Sequence, residues 1–187
     1  MVIKKDEVFA SSFYLSLKNM YLCCIIYLRK DVFNVITKAS INDFKIITSL
    51  AIKLWNDSDL LELEKEFYEL LHKDNVACFI KYINNTPIGF AECSLRYDYV
   101  EGTDTSPVGY LEGVYILDEY RCNGFAKKLV AACESWAKEK GCTEFASDCE
   151  LDNIESLKFH IAMGFDEADA EGTARALMKK YPARVSP

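Results

Sequence analysis

The sequence predicts a single mixed α/β domain, and three observations support this fold class. The chain has 187 residues, which is enough for one domain with a full core and too few for two large ones. Half of the residues are hydrophobic and 27% are charged, which is an ordinary composition for a globular protein. Strand-like and helix-like segments alternate along the chain, which favours helices layered on a sheet.

Regular elements are predicted from about Val35 onwards, with bounds set by apolar periodicity and by turn residues. The predicted strands are residues 35–37, 76–82, 89–99, 109–117, 143–149 and 174–181. The predicted helices are one that begins after an N-cap at Ser40, and residues 60–71, 124–140 and 153–163. This order predicts a hairpin-rich centre followed by a crossover.

Residues 1–33 are predicted to form an N-terminal extension that precedes the working domain, residues 34–187. The apolar stretch 9–28 is interrupted by Lys18, and no small-residue cleavage site follows Cys24, so a secretory signal peptide is not favoured. Its longest uninterrupted part, residues 20–28, is too short to span a bilayer. An extension that packs on the domain or stays disordered is preferred to a membrane role.

Charge and cysteine content disfavour several classes of protein. A net charge of −7 disfavours a nucleic-acid partner, because phosphate binding needs a basic surface. The same charge suits a cationic small molecule, although acidity for solubility alone explains it equally well. Eight cysteines without C-x-x-C spacing and two histidines predict no metal site, and they indicate reduced thiols in the cytoplasm.

The segment 111–140 carries the clearest chemical signal. A strand leads through residues 121–126, with the sequence RCNGFA, directly into a helix. Such a loop presents free backbone N–H groups and the positive end of the helix dipole to an anion. Gly124 permits close approach, and Arg121 and Lys127 add positive charge. A phosphate-binding loop and a plain strand-to-helix turn both fit, whereas Walker and dinucleotide patterns are absent.

The R-x-x-G-x-A pattern after a strand resembles the pyrophosphate-binding signature of the GNAT superfamily of acetyltransferases. Residues 153–165, with the pattern N-x-x-S-x-x-F-x-x-x-G-F, resemble that superfamily's last helix and following turn. Over residues 96–165 the chain is more closely similar to the aminoglycoside 6′-N-acetyltransferases, as in LEGVY at 111–115 and CTEFASD at 142–148. The resemblance implies the GNAT acyl-coenzyme A N-acyltransferase fold, acetyl-coenzyme A as cosubstrate, an aminoglycoside acceptor, antibiotic resistance and a homodimer.

The resemblance also assigns a coenzyme A site. It implies that Val114 and Ile116 bind the pantetheine arm through their backbone, where two strands splay apart. Gly113 is a candidate bulge that frees N–H groups for the thioester carbonyl. Asn153 is expected to contact the pantetheine or to cap the last helix. The predicted cofactor-binding set is Val114, Ile116, Arg121, Cys122, Asn123, Gly124, Phe125, Ala126, Lys127 and Asn153.

Acetyl transfer to an ammonium requires removal of a proton from the amine, donors for the oxyanion and a proton for the departing thiolate. Glu112 is the candidate for the first task, since a carboxylate is unusual in an apolar strand, although pairing with a neighbour also explains it. Asp148 resembles a substrate carboxylate of the family but also fits a turn aspartate. His160 stands where many GNAT enzymes carry a tyrosine that protonates the thiolate; a coenzyme A contact is the alternative.

The predicted substrate-binding set combines carboxylates with aromatic residues, as suits a polycation. It comprises Trp55, Asp98, Tyr99, Asp104, Glu112 and Asp148. Core packing explains Trp55 equally well, and Glu101 in the same loop is expected to be solvated.

Two segments depart from the family pattern: residues 1–33 and residues 166–172, which look like an insertion before the last strand. Direct transfer in a ternary complex is predicted, because neither Cys122 nor Cys149 has a neighbouring histidine in sequence and the chemistry needs no covalent intermediate. Two alternatives stay open at this point. One is a GNAT enzyme for polyamines or protein amines, and the other is a non-catalytic acyl-coenzyme A sensor.

Overall fold

A computed structural model describes residues 34–168 and 174–181, so the predictions for residues 1–33 and 169–173 lie outside the described residues. The strands are Asn34–Lys38 (β1), Val76–Ile83 (β2), Thr86–Arg96 (β3), Val108–Ile116 (β4), Glu144–Glu150 (β5), Asp166–Glu167 (β6) and Ala174–Lys180 (β7). The helices are Phe44–Ala51 (α1), Leu60–Leu70 (α2), Phe125–Glu139 (α3) and Ile154–Ala162 (α4). Across the described ranges, no helix is both long and apolar enough to cross a bilayer.

The seven strands form one mixed sheet in the order β1-β2-β3-β4-β5-β7-β6, which confirms the predicted α/β class. Most of the predicted strand bounds agree with the structure to within one residue, and β3 differs most. Strand β3 ends at Arg96 rather than Tyr99, because the ladder with β4 closes at the pair Arg96 and Val108. Residues 166 and 167, which were expected to belong to an insertion after Phe165, form the short strand β6, which pairs with β7.

The two faces of the sheet are covered by different helices. Alternation along β2 and β3 sends Ala77, Ala91 and Cys93 to one face, where they pack against α3. The other face carries Cys78, Ile80 and Phe90, which pack against α1 and α2. Successive residues of these strands therefore belong to separate hydrophobic clusters. A polar side chain in β2 or β3 faces one cluster or the other according to its position along the strand.

The centre of the sheet opens between β4 and β5. These strands are parallel and pair at two positions only, Gly109 with Phe145 and Tyr110 with Ala146. On the other side of β4, Glu92 pairs with Gly113 and Cys93 with Leu111, so Glu112 is the extra residue of a β-bulge. The bulge was predicted at Gly113 and lies one residue earlier. Among the described residues, β4 and β5 form no further ladder pairs beyond Tyr110.

The turn into α3 has the backbone that the sequence indicated. Gly124 is the N-cap, with φ at +72°, and Cys122, two residues earlier, has φ at +60°. A Cβ on Gly124 would meet nothing within 4 Å, so glycine is needed there for the left-handed conformation and not for space. The loop thereby turns β4 into α3 within a few residues.

Candidate active site

A cavity of about 730 Å³ lies where β4 and β5 diverge, between the N-terminus of α3 and helix α4. Many of the residues predicted from the sequence as site residues line it. They are Trp55, Glu112, Val114, Ile116, Arg121, Cys122, Gly124, Phe125, Ala126, Lys127, Asp148, Asn153 and His160. The structure therefore brings the candidate phosphate loop, the unpaired strand and both candidate carboxylates to one place.

Four predicted site residues do not line this cavity. The Asn123 amide donates to the carbonyl oxygens of Tyr120 and Arg121, at 3.2 and 2.8 Å, and so holds the loop itself. Tyr99 is 84% exposed, and Asp98 next to it is also exposed. Asp104 forms an ion pair with Lys180. Substrate contacts by Asp98, Tyr99 and Asp104 stay predictions.

The N-terminus of α3 offers backbone donors to the cavity. The first intrahelical bond runs from the Lys128 N–H to the Gly124 carbonyl at 3.3 Å, so the N–H groups of residues 124–127 precede the helical ladder. Arg121 is held in place, because its Nε donates to the Ile116 carbonyl at 3.1 Å and its Nη2 lies 2.8 Å from Asp118 Oδ1. This end of the cavity can bind an anion through fixed N–H groups and nearby cations.

Glu112 is held at the opposite end by two residues of β3. Its Oε1 accepts a hydrogen bond from Ser94 Oγ at 2.5 Å and one from Arg96 Nε at 3.4 Å. Its Oε2 accepts from Arg96 Nη2 at 2.8 Å. The guanidinium therefore grips the carboxylate with two nitrogens, which fixes its orientation as well as its charge.

Asp148 faces the cavity from β5 and is held by Tyr110 of β4. The Tyr110 hydroxyl donates to Asp148 Oδ1 at 2.5 Å. Burial, reinforced by this hydrogen bond and the Asp148 charge, raises the pKa of Tyr110 above its ordinary value, so the hydroxyl keeps its proton. The alternative of a turn aspartate does not fit, because Asp148 lies inside the strand Glu144–Glu150.

His160 is buried in α4 and both ring nitrogens have partners. Nδ1 lies 2.8 Å from the Ser156 carbonyl, and Nε2 lies 2.9 Å from Ser147 Oγ. Burial lowers the pKa of His160, so the neutral ring prevails at neutral pH. A carbonyl can only accept, so Nδ1 carries the proton and Nε2 accepts from Ser147. That same hydroxyl also lies 3.0 Å from the Leu111 carbonyl, so its one proton can serve either partner.

A third carboxyl group, that of Glu92 on β3, is buried beside the site and was not anticipated from the sequence. It is 6% exposed and pairs with Gly113 across the β3–β4 ladder. Burial, and then the charges of Glu112 and Glu66, raise the pKa of Glu92 to about 8, against a smaller opposing effect of Lys73. The available signal was an acidic residue inside the apolar run 88–93.

Trp55 serves the core and the cavity together. Its ring lies 6.2 Å from that of Phe67 and 5.9 Å from that of Phe90, which places it in the core between the helices and the sheet. A Cβ on Gly113 would stand 2.8 Å from Trp55 Cζ2, so glycine in the strand lets the indole reach the cavity wall. Trp55 therefore packs in the core and also lines the cavity, and a substrate contact by Trp55 stays a prediction.

The sequence did not single out Ser94, Arg96, Tyr110 or Ser147, since such residues are common in strands. Their partners become visible only through the register of β3, β4 and β5.

In the part of the chain that the structure describes, no group of three or more His, Cys, Asp or Glu side chains is arranged to hold a metal ion.

The chain is similar to known acetyltransferases. The model of the acetyltransferase (GNAT) family matches residues 44–165, a range that contains every residue lining the cavity. The aminoglycoside N(6′)-acetyltransferase type 1 of Acinetobacter haemolyticus is 41% identical over 133 residues, which are 71% of this chain and 89% of that protein.

Two solved structures are similar over comparable lengths. AAC(6′)-Iy in complex with the bisubstrate analogue CoA-S-monomethyl-acetylneamine has a TM-score of 0.72 at 37% identity, over 74% of this chain and 95% of that chain. The aminoglycoside 6′-N-acetyltransferase AAC(6′)-IG from Acinetobacter haemolyticus, in its apo form, has a TM-score of 0.71 at 38% identity. That match covers 74% of this chain and 94% of the other.

Proposed function

Because this chain belongs to the acetyltransferase (GNAT) family and, within it, to the aminoglycoside N(6′)-acetyltransferases, we propose that it acetylates the 6′-amine of an aminoglycoside antibiotic. The acetyl donor is acetyl-coenzyme A, and transfer is direct, in a ternary complex. The observation that supports this most is that one cavity joins an anion-binding helix N-terminus to two carboxylates, Glu112 and Asp148. Acetylation removes the charge of the amine, which is the chemical basis for a resistance function.

The residues present fit acetyl-coenzyme A, which supplies the thioester that is attacked. The N–H groups of residues 124–127, with Lys127 beside them, would hold the pyrophosphate. The β4 backbone near Val114 and Ile116, left without a β5 partner, would bind the pantetheine and polarise the thioester carbonyl. The Asn153 side chain accepts from the Ser156 N–H at 3.0 Å, so it caps α4 while it also lines the cavity.

Glu112 and Asp148 are proposed to bind the acceptor ammonium and to help remove its proton. Both reach the cavity, and the protein holds Glu112 through both carboxylate oxygens and Asp148 through Oδ1. Fixed carboxylates stabilise an ammonium without reorganising, and a water between them and the amine can carry the proton away.

His160 is proposed to supply the proton for the departing thiolate through Ser147. The hydroxyl of Ser147 would give its proton to sulfur and regain one from the protonated Nε2 of His160, 2.9 Å away. Because burial lowers the pKa of His160, the protonated fraction is small at neutral pH and falls further as pH rises. The supply of protons to the thiolate by this route therefore decreases as pH rises above neutrality.

Three further parts of the proposal concern context. The enzyme is placed in the cytoplasm, since the described chain includes five buried free thiols, which persist in a reducing compartment. The net charge of −7 argues against nucleic acid as a partner. Homodimer formation and the assignment of residues 34–187 to the acetyltransferase domain rest on the family.

The direct test is thiol release from acetyl-coenzyme A by the purified full chain, with kanamycin or with spermidine. Drug-dependent release that is lost in Glu112→Gln and Asp148→Asn, and kept in the exposed helix variant Glu69→Gln, is the expected result. Faster release with spermidine would favour a polyamine enzyme. Binding of coenzyme A without release for either amine would favour a sensor.

A further inference from the structure

The two carboxylates of the cavity are joined to each other by a continuous chain of side-chain contacts. Arg96 grips Glu112 through Nε and Nη2, at 3.4 and 2.8 Å. The Arg96 guanidinium carbon lies 3.2 Å from the centre of the Tyr110 ring, and the Tyr110 hydroxyl donates to Asp148 at 2.5 Å. We call these four residues, Glu112, Arg96, Tyr110 and Asp148, the carboxylate bridge.

The Arg96 end of the bridge fixes Glu112 and changes the charge of the site. A guanidinium is planar and keeps its charge at every physiological pH, so stacking on Tyr110 sets the plane in which it meets the carboxylate. Glu112, Asp148 and Arg96 together carry one net negative charge. That value matches one ammonium, whereas two bare carboxylates would hold the ammonium more tightly as a cation.

The Tyr110 end of the bridge fixes Asp148. Tyr110 is 5% exposed, so its ring has little freedom and its hydroxyl has a defined position. The hydroxyl uses Oδ1, and within residues 34–168 and 174–181 no side chain or backbone donor is bonded to Oδ2. The second oxygen therefore remains for a ligand, in an orientation that Tyr110 sets.

We propose that Arg96 and Tyr110 are positioning residues that hold the two carboxylates at one separation and leave a net charge suited to a single acceptor ammonium. The proposal rests on the proposed function, because it assigns Glu112 and Asp148 to the acceptor amine. We therefore expect changes in the bridge to affect kcat more than the KM for the aminoglycoside. The reason is that an ammonium held by a pair of carboxylates without a compensating cation is harder to deprotonate.

Steady-state kinetics with acetyl-coenzyme A and kanamycin separate these effects. Arg96→Gln is expected to lower kcat about tenfold, as for loss of one hydrogen-bonded charge, while KM for kanamycin stays equal or falls. Arg96→Lys keeps the charge without the two-nitrogen grip, so KM should match the parent while kcat stays reduced. Tyr110→Phe keeps the ring beneath Arg96 and removes only the hydroxyl, and it should lower kcat/KM about tenfold.

The controls address folding and chemistry separately. Arg175→Gln removes an arginine that pairs with Glu167 and does not line the cavity, and it should leave kcat and KM unchanged. Affinity for coenzyme A should be equal in all variants, because the bridge lies away from the α3 loop. The double variant of Arg96→Gln and Tyr110→Phe should lose less than the product of the single losses, because both act on one chain of contacts.

Three outcomes would overturn the proposal. If the parent enzyme turns over and both Arg96→Gln and Tyr110→Phe stay within twofold of it, the bridge has no positioning role and the proposed function stands. A raised KM with unchanged kcat in Arg96→Gln would also contradict it, since Arg96 would then contribute only binding. A parent without drug-dependent turnover would remove the proposed function and the bridge proposal together.

Discussion

Replacing Glu92 by Gln removes a charge that the fold accommodates poorly, without changing the shape of the side chain. Glu92 is 6% exposed on the face of β3 covered by α1 and α2. The groups that act on it are Glu112 on β4, Glu66 on α2 and Lys73 just after α2. Burial and the two carboxylates raise the pKa of Glu92 to about 8, so ionisation occurs at a cost to the folded state.

The direction of the pH effect follows from this raised pKa. A group with a folded-state pKa above its unfolded value contributes stability that is complete below the unfolded pKa and is lost as pH rises through the folded one. For Glu92 that window runs from an ordinary value of 4.5 to about 8. At about 1.4 kcal/mol for each pH unit, the full effect is about 5 kcal/mol, which is an upper bound because solvent penetration reduces it.

We expect Glu92→Gln to match the parent protein at about pH 5 or below and to exceed its free energy of unfolding by about 2 to 5 kcal/mol at about pH 9. Urea unfolding followed by tryptophan fluorescence at several pH values measures this difference. Glu69→Gln, on the exposed face of α2, is the matched control and should show no such trend. A difference between Glu92→Gln and the parent that is constant with pH would refute the argument.

Two further changes test the packing of α3 on β4 and the hydrogen bonding of a buried carboxylate in β5. In Gly109→Ala the new methyl would stand 2.6 Å from Ala137 Cβ and 2.6 Å from Phe145 Cδ2. We expect thermal unfolding to show that the free energy of unfolding falls by about 1 to 3 kcal/mol. An unchanged Tm would contradict the close contact of α3 with β4. Glu144 is buried, which by itself opposes ionisation, yet hydrogen bonds from Thr105 and the Asp104 N–H lower its pKa. The ionised Glu144 therefore stabilises the fold above pH 4.5, and this stabilisation is lost as pH falls. We expect Glu144→Gln to have a lower free energy of unfolding than the parent at neutral pH, and the difference to become smaller in acid. Urea unfolding at several pH values measures this difference.

Much of the fold was predictable because local signals agree with the tertiary structure. The apolar periodicity of α3, the glycine at its N-cap and the alternating strands each specify their element with few competing interpretations. The loop 121–126 could be recognised for the same reason, since strand, glycine and helix are contiguous in sequence. The prediction of β3 as far as Tyr99 was wrong, because its aromatic residues look β-like and the partner strand ends first.

The polar contacts of the site were less accessible, because they depend on register between distant segments. Arg96 and Glu112 are sixteen residues apart, and the bulge decides that they meet. Tyr110 and Asp148 meet only because β4 and β5 pair at Tyr110 before they diverge. No periodicity along the chain distinguishes these residues from other polar residues in strands. Asp98, Tyr99 and Asp104 lie outside the cavity lining, and their contribution to substrate binding stays a prediction.

The 6′-amine of the aminoglycoside is the proposed acceptor of the acetyl group. The most direct measurement is the turnover of two aminoglycosides that differ only in carrying an amine or a hydroxyl at the 6′ position, with the product located by NMR. We expect rapid thiol release and a 6′-acetamide from the compound with the 6′-amine, and no acetylation of the compound with the 6′-hydroxyl. Acetylation of both compounds at a shared amine would contradict it, and it would assign the carboxylates Glu112 and Asp148 to a different ring of the drug.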